Sequence, residues 1–330
     1  MELRHGGHIL VDQLKVNGVK RVFSVPGESF LAELDGLYNS SIENIVCRQE
    51  GGAAMMAEAD AKITNNPGVV FVTRGPGATN ASSGVHIAMQ DSTPLIVFVG
   101  QVPLEHRDRE AFQEIDYERF FSPIAKWVAE VKDLKRLPEY ISRAFQVSQG
   151  GRPGPVIISL PEDILSGVCE VPDRPRVVLG QQFTSDSEVK KVEKAIIEAE
   201  RPLVIAGGTG WSKEAVKNLG VFVKNFNLPV ATTFRRQHLM DNRHDCYIGD
   251  LGTGMNPALA KTVKESDLII AIGTRLGEIA TGGYELIDPK KPEQKIIHIH
   301  KDPNELGHVY QPTLSVLSST ENILNYGENE

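Results

Sequence analysis

The sequence is poor in several features that mark particular classes of protein. Its 330 residues include three cysteines, Cys47, Cys169 and Cys246, which stand far apart and outside any C-x-x-C pair. This pattern argues against a disulfide framework and against a cysteine-based zinc site. No apolar run approaches the roughly 18 residues of a membrane-spanning helix, and the first residues form an amphipathic pattern instead of a signal peptide. We therefore expect a cytoplasmic protein with no membrane contact.

Clustered positive charge is missing as well. The formal net charge is −8, and the adjacent Arg235 and Arg236 are only a pair. A surface that follows nucleic-acid phosphates needs a stripe or patch of Lys and Arg. We therefore expect no nucleic-acid partner.

The chain does have a regular alternation of short apolar runs and helical patterns. Runs rich in Val, Ile and Phe, each followed by a helix, are typical of a parallel sheet that is buried on both faces. The first helical pattern stops at Asn17-Gly18, a usual helix C-cap pair. The first half predicts strands near 21–25, 43–47, 68–73, 95–100 and 155–160, and helices near 29–39, 51–64, 78–90 and 134–149.

The alternation lapses at residues 171–184, which are polar and contain prolines, and it then resumes. Ser185 and Glu188 predict a capping box that opens a new helix. Four further strands are predicted at PLVIAG, PVATT, DLIIAIG and KIIHIH. The predicted fold class is α/β, with two tandem doubly wound parallel-sheet domains at residues 1–170 and 185–330, joined by a linker.

Ligands in such sheets bind beyond the carboxyl ends of the strands, so the segments after the strands are the places to search. In the first domain these are VPGES (25–29), CRQEGG (47–52), TRGPGATN (73–80) and GQVPLE (100–105). Glu50 lies in the second segment, near a helix N-terminus, where the helix dipole favours a carboxylate by ~0.3–1 kcal/mol. Alternatively, the small residues after Glu50 let a flat ligand approach, and a carboxyl group removed from water can exchange a proton near neutral pH.

Glycine-rich turns follow several predicted strands. The backbone N–H groups of GPGATN, residues 75–80, can face an anion or a ring. The motif lacks the third glycine of the dinucleotide fingerprint, however, and a plain strand-to-helix turn explains it equally well. The same two interpretations apply to the candidate nucleotide-binding residues of the second domain, which are Gly207, Gly208, Gly210, Gly273, Arg275 and Gly277.

A histidine pair lies in the last of these strands. His298 and His300 share one face of KIIHIH and are of the type that ligates metals. No third ligand is evident in the sequence, so we expect packing and assign no metal-binding residue.

The four segments of the first domain, in this order, resemble the pyrimidine-binding domain of thiamine diphosphate enzymes, in particular the acetolactate synthase and 2-oxo acid decarboxylase group. The resemblance covers residues 1 to about 165. It is carried by VPGESFLAELDGL, RQEGGAAMMAEADAK, TRGPGATNASSGV, QDSTPLIVFVGQVP, REAFQE and GRPGPVIISLPEDI. The remainder, with IAGGTG, IGTRLG and IHIHKDPNELG, is similar to the central domain of the same group.

The resemblance implies a role for Glu50. In the family, the matching glutamate bonds the N1′ atom of the cofactor's aminopyrimidine and drives the imino tautomer that deprotonates the thiazolium C2. It also implies catalytic roles for Glu28 and Gln113 and a substrate-facing role for Arg74 and Phe112. The implied cofactor-binding residues are Pro26, Gly27, Glu50, Thr73, Gly75, Pro76, Gly77 and Asn80.

The substrate stays open because this sequence combines features of different family members. An acid at position 28 is typical of pyruvate-decarboxylase-like members and favours simple decarboxylation by protonating a carbanion. Phe112, Gln113 and Glu114 replace the His-His pair of those enzymes, which favours acetolactate synthase. Arg74 stands where acetolactate synthases usually have serine. The resemblance therefore implies a 2-oxo acid substrate without choosing between decarboxylation and carboligation.

Cofactors and partners follow from the same resemblance. The central domain binds FAD, ADP or nothing in the family, and here His300 and Lys301 stand in the motif where flavin-binding relatives read IDIDP. The family's diphosphate-binding domain, with its Mg²⁺ motif, is not found in the sequence, so we expect an incomplete enzyme. We also expect a homodimer or larger oligomer, in which a separate chain can carry that domain. The alternative is a non-catalytic nucleotide-binding or subunit-assembly module.

Overall fold

The computed structural model describes residues 2–180 and 182–325. They form two compact units that divide between Leu179 and Gly180, inside the segment that the sequence predicts as a linker. Within the described residues, no helix has the length and apolar character that crossing a membrane requires.

The first unit is built on a parallel sheet. Its helices are α1 Gly6–Val16, α2 Leu31–Tyr38, α3 Glu50–Thr64, α4 Gly75–Asp91, α5 Tyr117–Phe121, α6 Leu137–Gln149 and α7 Glu162–Ser166. Its strands are β1 Arg4–His5, β2 Arg21–Ser24, β3 Glu43–Val46, β4 Gly68–Val72, β5 Leu95–Gln101, β6 Trp127–Glu130, β7 Pro155–Pro161 and β8 Val168–Cys169. The sheet order is β3-β2-β4-β5-β7-β6, and β1 pairs separately with β8.

Both faces of this sheet are covered by helices. The central strands β4, β5 and β7 are buried along their whole length. One apolar cluster joins the sheet to α1, α2 and α6, and a second joins it to α3, α4 and α5. The carboxyl ends of β2, β4, β5 and β7 therefore share one edge, at which the candidate site residues follow.

The second unit repeats this architecture. Its helices are α8 Asp186–Glu198, α9 Lys213–Asn225, α10 Pro257–Glu265 and α11 Thr320–Leu324. Its strands are β9 Pro202–Ala206, β10 Val230–Thr233, β11 Tyr247–Leu251, β12 Leu268–Ile272, β13 Lys295–His300 and β14 Leu314–Leu317, in the order β11-β10-β9-β12-β13-β14. All neighbouring strands in this sheet are parallel. The predicted α/β class with two tandem parallel sheets is confirmed.

The local helix signals are also confirmed. Asn17 is the C-cap of α1, Gly18 follows with a φ of +83°, and Ser185 and Glu188 form the expected capping box. One boundary was wrong, because α4 begins at Gly75 and GPGATN forms its first turns. Pro76 fits there because the first turn of a helix does not need its missing N–H group.

Candidate functional site

The segments after β2 and β4 meet the end of β5 at the carboxyl edge of the first sheet. The hydroxyl oxygens of Ser29 and Thr73 lie 2.9 Å apart. Gly27 packs so closely on the Thr73 side chain that a Cβ atom at position 27 would overlap it. A Cβ atom at Gly100 would overlap Ser29 in the same way. Three separate sequence segments are therefore held in contact at one place.

Glu50 is the first residue of α3 and is 8% exposed. The Gln49 side chain caps the helix by accepting a hydrogen bond from Gly52 N at 2.8 Å. Glu50 Oε2 accepts a hydrogen bond from Asn80 Nδ2 at 3.0 Å, and Oε1 has no hydrogen-bond partner among the described residues. A Cβ atom at Gly77 would lie 3.3 Å from Oε1, so the absent side chain leaves room beside this oxygen.

The small residues after Glu50 bring α3 and α4 into close contact. A Cβ atom at Gly51 would lie 2.9 Å from Ser83 Oγ, and one at Gly84 would overlap Ala54. At Gly52, by contrast, the nearest atom would be 4.0 Å away. Gly51 and Ala54 therefore serve helix pairing, which holds Asn80 of α4 against Glu50 of α3.

Tyr117, which the sequence analysis did not identify, fixes the start of α4. Its hydroxyl group accepts a hydrogen bond from Gly75 N at 3.0 Å and donates one to Gly100 O at 3.2 Å. Burial raises the pKa of Tyr117 to about 12, so the phenol keeps its proton and its donor role. A lone tyrosine in a polar stretch gives no sequence signal for this contact.

Arg74 is the centre of a charged cluster at the same edge. Its side chain is 8% exposed, its Nη1 donates to Glu162 Oε1 at 2.5 Å, and its Nη2 donates to Glu28 Oε1. The third donor, Nε, is buried without a hydrogen-bond partner among the described residues. Phe112 lies above this cluster with its ring centroid 6.0 Å from Arg74 Cζ, and Phe112 is 73% exposed.

The loop that carries Phe112 and Gln113 is stabilised by hydrogen bonds to the carboxylate of Glu114. Glu114 accepts hydrogen bonds from Asp108 N at 2.8 Å and Ala111 N at 3.2 Å, and its Oε1 lies 2.7 Å from Arg107 Nη1. Burial raises the pKa of Glu114, but these contacts outweigh it and lower the pKa overall. Three non-glycine residues nearby have left-handed backbones, Asp108 (φ 62°), Glu110 (φ 55°) and Gln113 (φ 64°). Such conformations cost free energy and concentrate at functional sites.

The remaining candidate cofactor residues differ in exposure. Pro26 and Pro76 are exposed, and Thr73 is half-buried. Gly75 has a φ of +23°, and a Cβ atom there would lie 2.7 Å from Gln113 O. The loop with Gln113 therefore packs on the start of α4, so the first-domain candidates that follow β4 and β5 are in contact.

The glycine turns of the second unit are explained largely by close packing. A Cβ atom at Gly208, where φ is +73°, would overlap Gly273 O, and one at Gly207 would overlap Thr233. Gly210 differs, because a Cβ atom there would lie 3.5 Å from Lys301 Nζ. Arg275 is half-buried directly after β12, and Gly277 has no neighbour within 4 Å of its Cβ position among the described residues.

His298 and His300 are both buried in β13, between β12 and β14. His298 Nε2 lies 2.8 Å from Thr274 O, and His300 Nδ1 accepts a hydrogen bond from Asp302 N at 3.0 Å. Burial lowers the pKa of His300 to about 4 and that of Lys301 to about 8. The two rings meet edge to face at 6.1 Å, so the pair packs in the sheet.

A second histidine pair was missed by the sequence analysis. His5 Nε2 and His8 Nε2 lie 3.0 and 3.3 Å from Asp35 Oδ2, which joins α1 to α2. His5 Nδ1 accepts a hydrogen bond from His8 N at 3.3 Å, so the proton of a neutral His5 ring is on Nε2 and faces Asp35. This arrangement suits a structural hydrogen bond better than metal ligation.

Comparison with known proteins identifies the family. Residues 4–120 match the model described as thiamine pyrophosphate enzyme, N-terminal TPP binding domain, and residues 189–326 match the central domain of the same enzymes. The chain is 36% identical to a probable acetolactate synthase large subunit of Methanocaldococcus jannaschii, over 97% of this chain and 55% of that protein. It is 33% identical to a mitochondrial acetolactate synthase of Schizosaccharomyces pombe, over 94% of this chain and 50% of that protein.

A third relative is the acetolactate synthase of Bacillus subtilis, 30% identical over 98% of this chain and 57% of that protein. The chain thus spans about half the length of the curated relatives it matches. Because the two family models match successive regions in both units, the chain belongs to the thiamine pyrophosphate enzyme family.

Proposed function

We propose that this chain provides the pyrimidine-binding part of a thiamine diphosphate site that acts on 2-oxo acids, as in acetolactate synthase. The observation that carries the proposal is the carboxyl group of Glu50. One of its oxygens is held by Asn80, and the other has no hydrogen-bond partner among the described residues. The residue is only 8% exposed, and Oε1 can accept a hydrogen bond, so this oxygen suits a ligand that donates or shares a proton.

The surroundings of Glu50 fit a flat ring. The absence of a side chain at Gly77 leaves space beside Oε1, and Asn80 fixes the orientation of the carboxyl group. In its bound form the cofactor supplies the carbon nucleophile that attacks a 2-oxo acid. Glu50 would hold and exchange a proton at the ring nitrogen of the pyrimidine.

A complete cofactor site would also need parts beyond the pyrimidine-binding residues. We assign residues 1–170 to pyrimidine binding and residues 185–330 to the central domain, and we assign the diphosphate and its Mg²⁺ to residues outside those described. We propose that the protein forms a homodimer or larger oligomer and that a diphosphate-binding domain, which a separate chain can carry, completes the site. Glu28 and Gln113 would contact the reacting atoms from the segments after β2 and β5.

The proposal is tested by calorimetric titration of the full-length protein with thiamine diphosphate and Mg²⁺. Glu50→Gln keeps the size of the side chain but removes its charge. We expect it to weaken binding about tenfold, because a charge-assisted hydrogen bond is lost. Glu43→Gln is the matched control, since Glu43 is an exposed acid at the opposite, amino edge of the same sheet.

A cofactor analogue in which the N1′ nitrogen is replaced by carbon tests the contact itself. The wild-type protein should prefer thiamine diphosphate to this analogue, and Glu50→Gln should bind the two almost equally. An equal preference in both proteins would refute the role of Glu50.

A second candidate function, nucleotide binding in the second unit, is favoured by the position of Lys301 Nζ, which would lie 3.5 Å from a Cβ atom at Gly210. With a pKa of about 8, Lys301 is mostly protonated at pH 7 and can attract a phosphate. We expect Lys301→Met to weaken binding of FAD or ADP about tenfold in calorimetric titrations. If neither compound binds the wild-type protein, this candidate function is wrong.

A further inference from the structure

We infer that Arg74 forms a binding subsite for the carboxylate of the substrate and that Glu28 occupies this subsite until the substrate arrives. The inference rests on the proposed function for its choice of substrate class, a 2-oxo acid. Its structural basis is the charged cluster of Arg74, Glu28 and Glu162. No pattern in the sequence links Glu28 to Arg74 or marks Glu162 as a site residue.

The two acids that contact Arg74 are held differently. Glu162 Oε1 lies 2.5 Å from Nη1, and the Glu162 side chain is 34% exposed. Glu28 contacts Nη2 with one oxygen, and its side chain is 69% exposed. An exposed acid gains little net free energy from an ion pair, because water solvates the separated charges well. Glu28 is therefore the partner that can leave, while Glu162 keeps the guanidinium in place.

The guanidinium also has an unused donor. Arg74 Nε is buried and has no hydrogen-bond partner among the described residues. Nε and Nη2 lie along one edge of a guanidinium and together match the two oxygens of a carboxylate. Glu28 engages only the Nη2 end of this edge. A ligand carboxylate that bonded both donors would satisfy Nε as well, which Glu28 does not do.

The charge and the position of the cluster are consistent with replacement of Glu28 by a substrate carboxylate. One arginine and two glutamates give the cluster a formal charge of −1, which opposes a second anion while Glu28 remains in place. When Glu28 moves away, the pair of Arg74 and Glu162 is neutral, and the incoming carboxylate restores the same total charge. Thr73, the residue before Arg74, contacts Gly27 beside Glu28, so the subsite lies at the edge where the cofactor is proposed to bind.

Glu162 is a positioning residue in this arrangement. It follows β7, whereas Arg74 follows β4, and the two are 88 residues apart in the chain. The contact holds the guanidinium by Nη1, while Nη2 bonds Glu28. The subsite is thus built from three separate strand ends.

The test is binding of pyruvate to the full-length protein without cofactor, measured by calorimetry. We expect Glu28→Gln to bind pyruvate about tenfold more tightly than the wild-type protein, because the competing carboxylate is gone. We expect Arg74→Gln to show no saturable pyruvate binding. Glu43→Gln, which removes the same charge at the opposite edge of the sheet, should bind pyruvate as the wild type does. The neutral diketone 2,3-butanedione should bind all four proteins equally weakly.

The inference is overturned if Glu28→Gln binds pyruvate no better than Glu43→Gln does. Because the Glu28 side chain is largely exposed, this comparison does not depend on whether Arg74→Gln folds. The result is also separate from the proposed function. Tighter pyruvate binding in Glu28→Gln together with a failed thiamine diphosphate titration would retain the carboxylate subsite and reject the cofactor site. The reverse pair of results would reject only the subsite.

Discussion

Gly84→Ala is expected to lower the free energy of unfolding of the first unit by about 3 kcal/mol, because inserting a methyl group into a filled helix interface forces the backbones apart. The added Cβ atom would overlap Ala54 Cβ and lie 3.0 Å from the Ala54 carbonyl carbon and from Met55 N. Backbone atoms of a helix cannot rotate away as a flexible side chain can. The helices α3 and α4 would have to separate, and Asn80 would move away from Glu50.

The matched control for this substitution is Gly52→Ala, in α3. A Cβ atom there would have no neighbour nearer than Gln49 Oε1 at 4.0 Å. Alanine is favoured over glycine inside a helix, so this variant should gain up to about 1 kcal/mol. Urea unfolding can be followed by the fluorescence of Trp127, in a background where Trp211 of the second unit is replaced by Phe. Equal stabilities of the two variants would contradict the close contact of α3 and α4.

The contrast between these two glycines shows what a sequence can and cannot predict. The run after Glu50 indicated a segment built for close approach, and that approach exists. The sequence did not tell which partner comes close, and for Gly51 and Ala54 the partner is α4. Prediction succeeded at this helix end because the interacting residues, Ser185 and Glu188, lie within one turn of each other.

Edge strands were the weakest part of the fold prediction. The strands β6, β11 and β14 were missed, and each lies at an end of its sheet. Edge strands are covered less fully, so they need no long run of Val and Ile, and β6 is half-buried throughout. The apolar runs that predicted the central strands exist because those strands are buried on both faces.

Long-range polar contacts have no periodic signature in a sequence. Arg74 contacts Glu28 and Glu162 from positions 46 and 88 residues away. Tyr117 bonds Gly75 across 42 residues. The resemblance to a family indicated which strand ends to compare. Only the structure reveals that Glu28 and Arg74, two of the positions at which the sequence combines features of different family members, form an ion pair.

The second large change in stability is expected at a buried acid in α2. Glu33 is 0% exposed, and neither of its carboxyl oxygens has a hydrogen-bond partner among the described residues. Burial raises the pKa of Glu33 well above its usual value, so the folded chain keeps this proton to higher pH than the unfolded chain does. In the sequence, Glu33 looks like an ordinary polar residue of LAELDGL.

Glu33→Met is expected to raise the free energy of unfolding by about 3 kcal/mol at pH 8, since methionine has a similar length and leaves no polar atom unpaired. The gain should grow with pH. Above the usual pKa of a glutamate the unfolded chain binds fewer protons at this position than the folded chain, so wild-type stability falls by up to about 1.4 kcal/mol per pH unit until the raised pKa is reached. Glu33→Met removes this slope.

Urea unfolding of the wild type, Glu33→Met and Glu43→Met at pH 5 and pH 8 tests whether the buried carboxyl group of Glu33 destabilises the fold. Glu43 is exposed, so its substitution should change stability by less than about 0.5 kcal/mol at either pH. A Glu33→Met variant that is less stable than the wild type at both pH values would mean that the carboxyl group stabilises the fold. If instead the gain appears at pH 8 and shrinks at pH 5, the cost comes from the buried carboxyl group, and α2 carries a destabilising acid only five residues after Glu28 of the proposed carboxylate subsite.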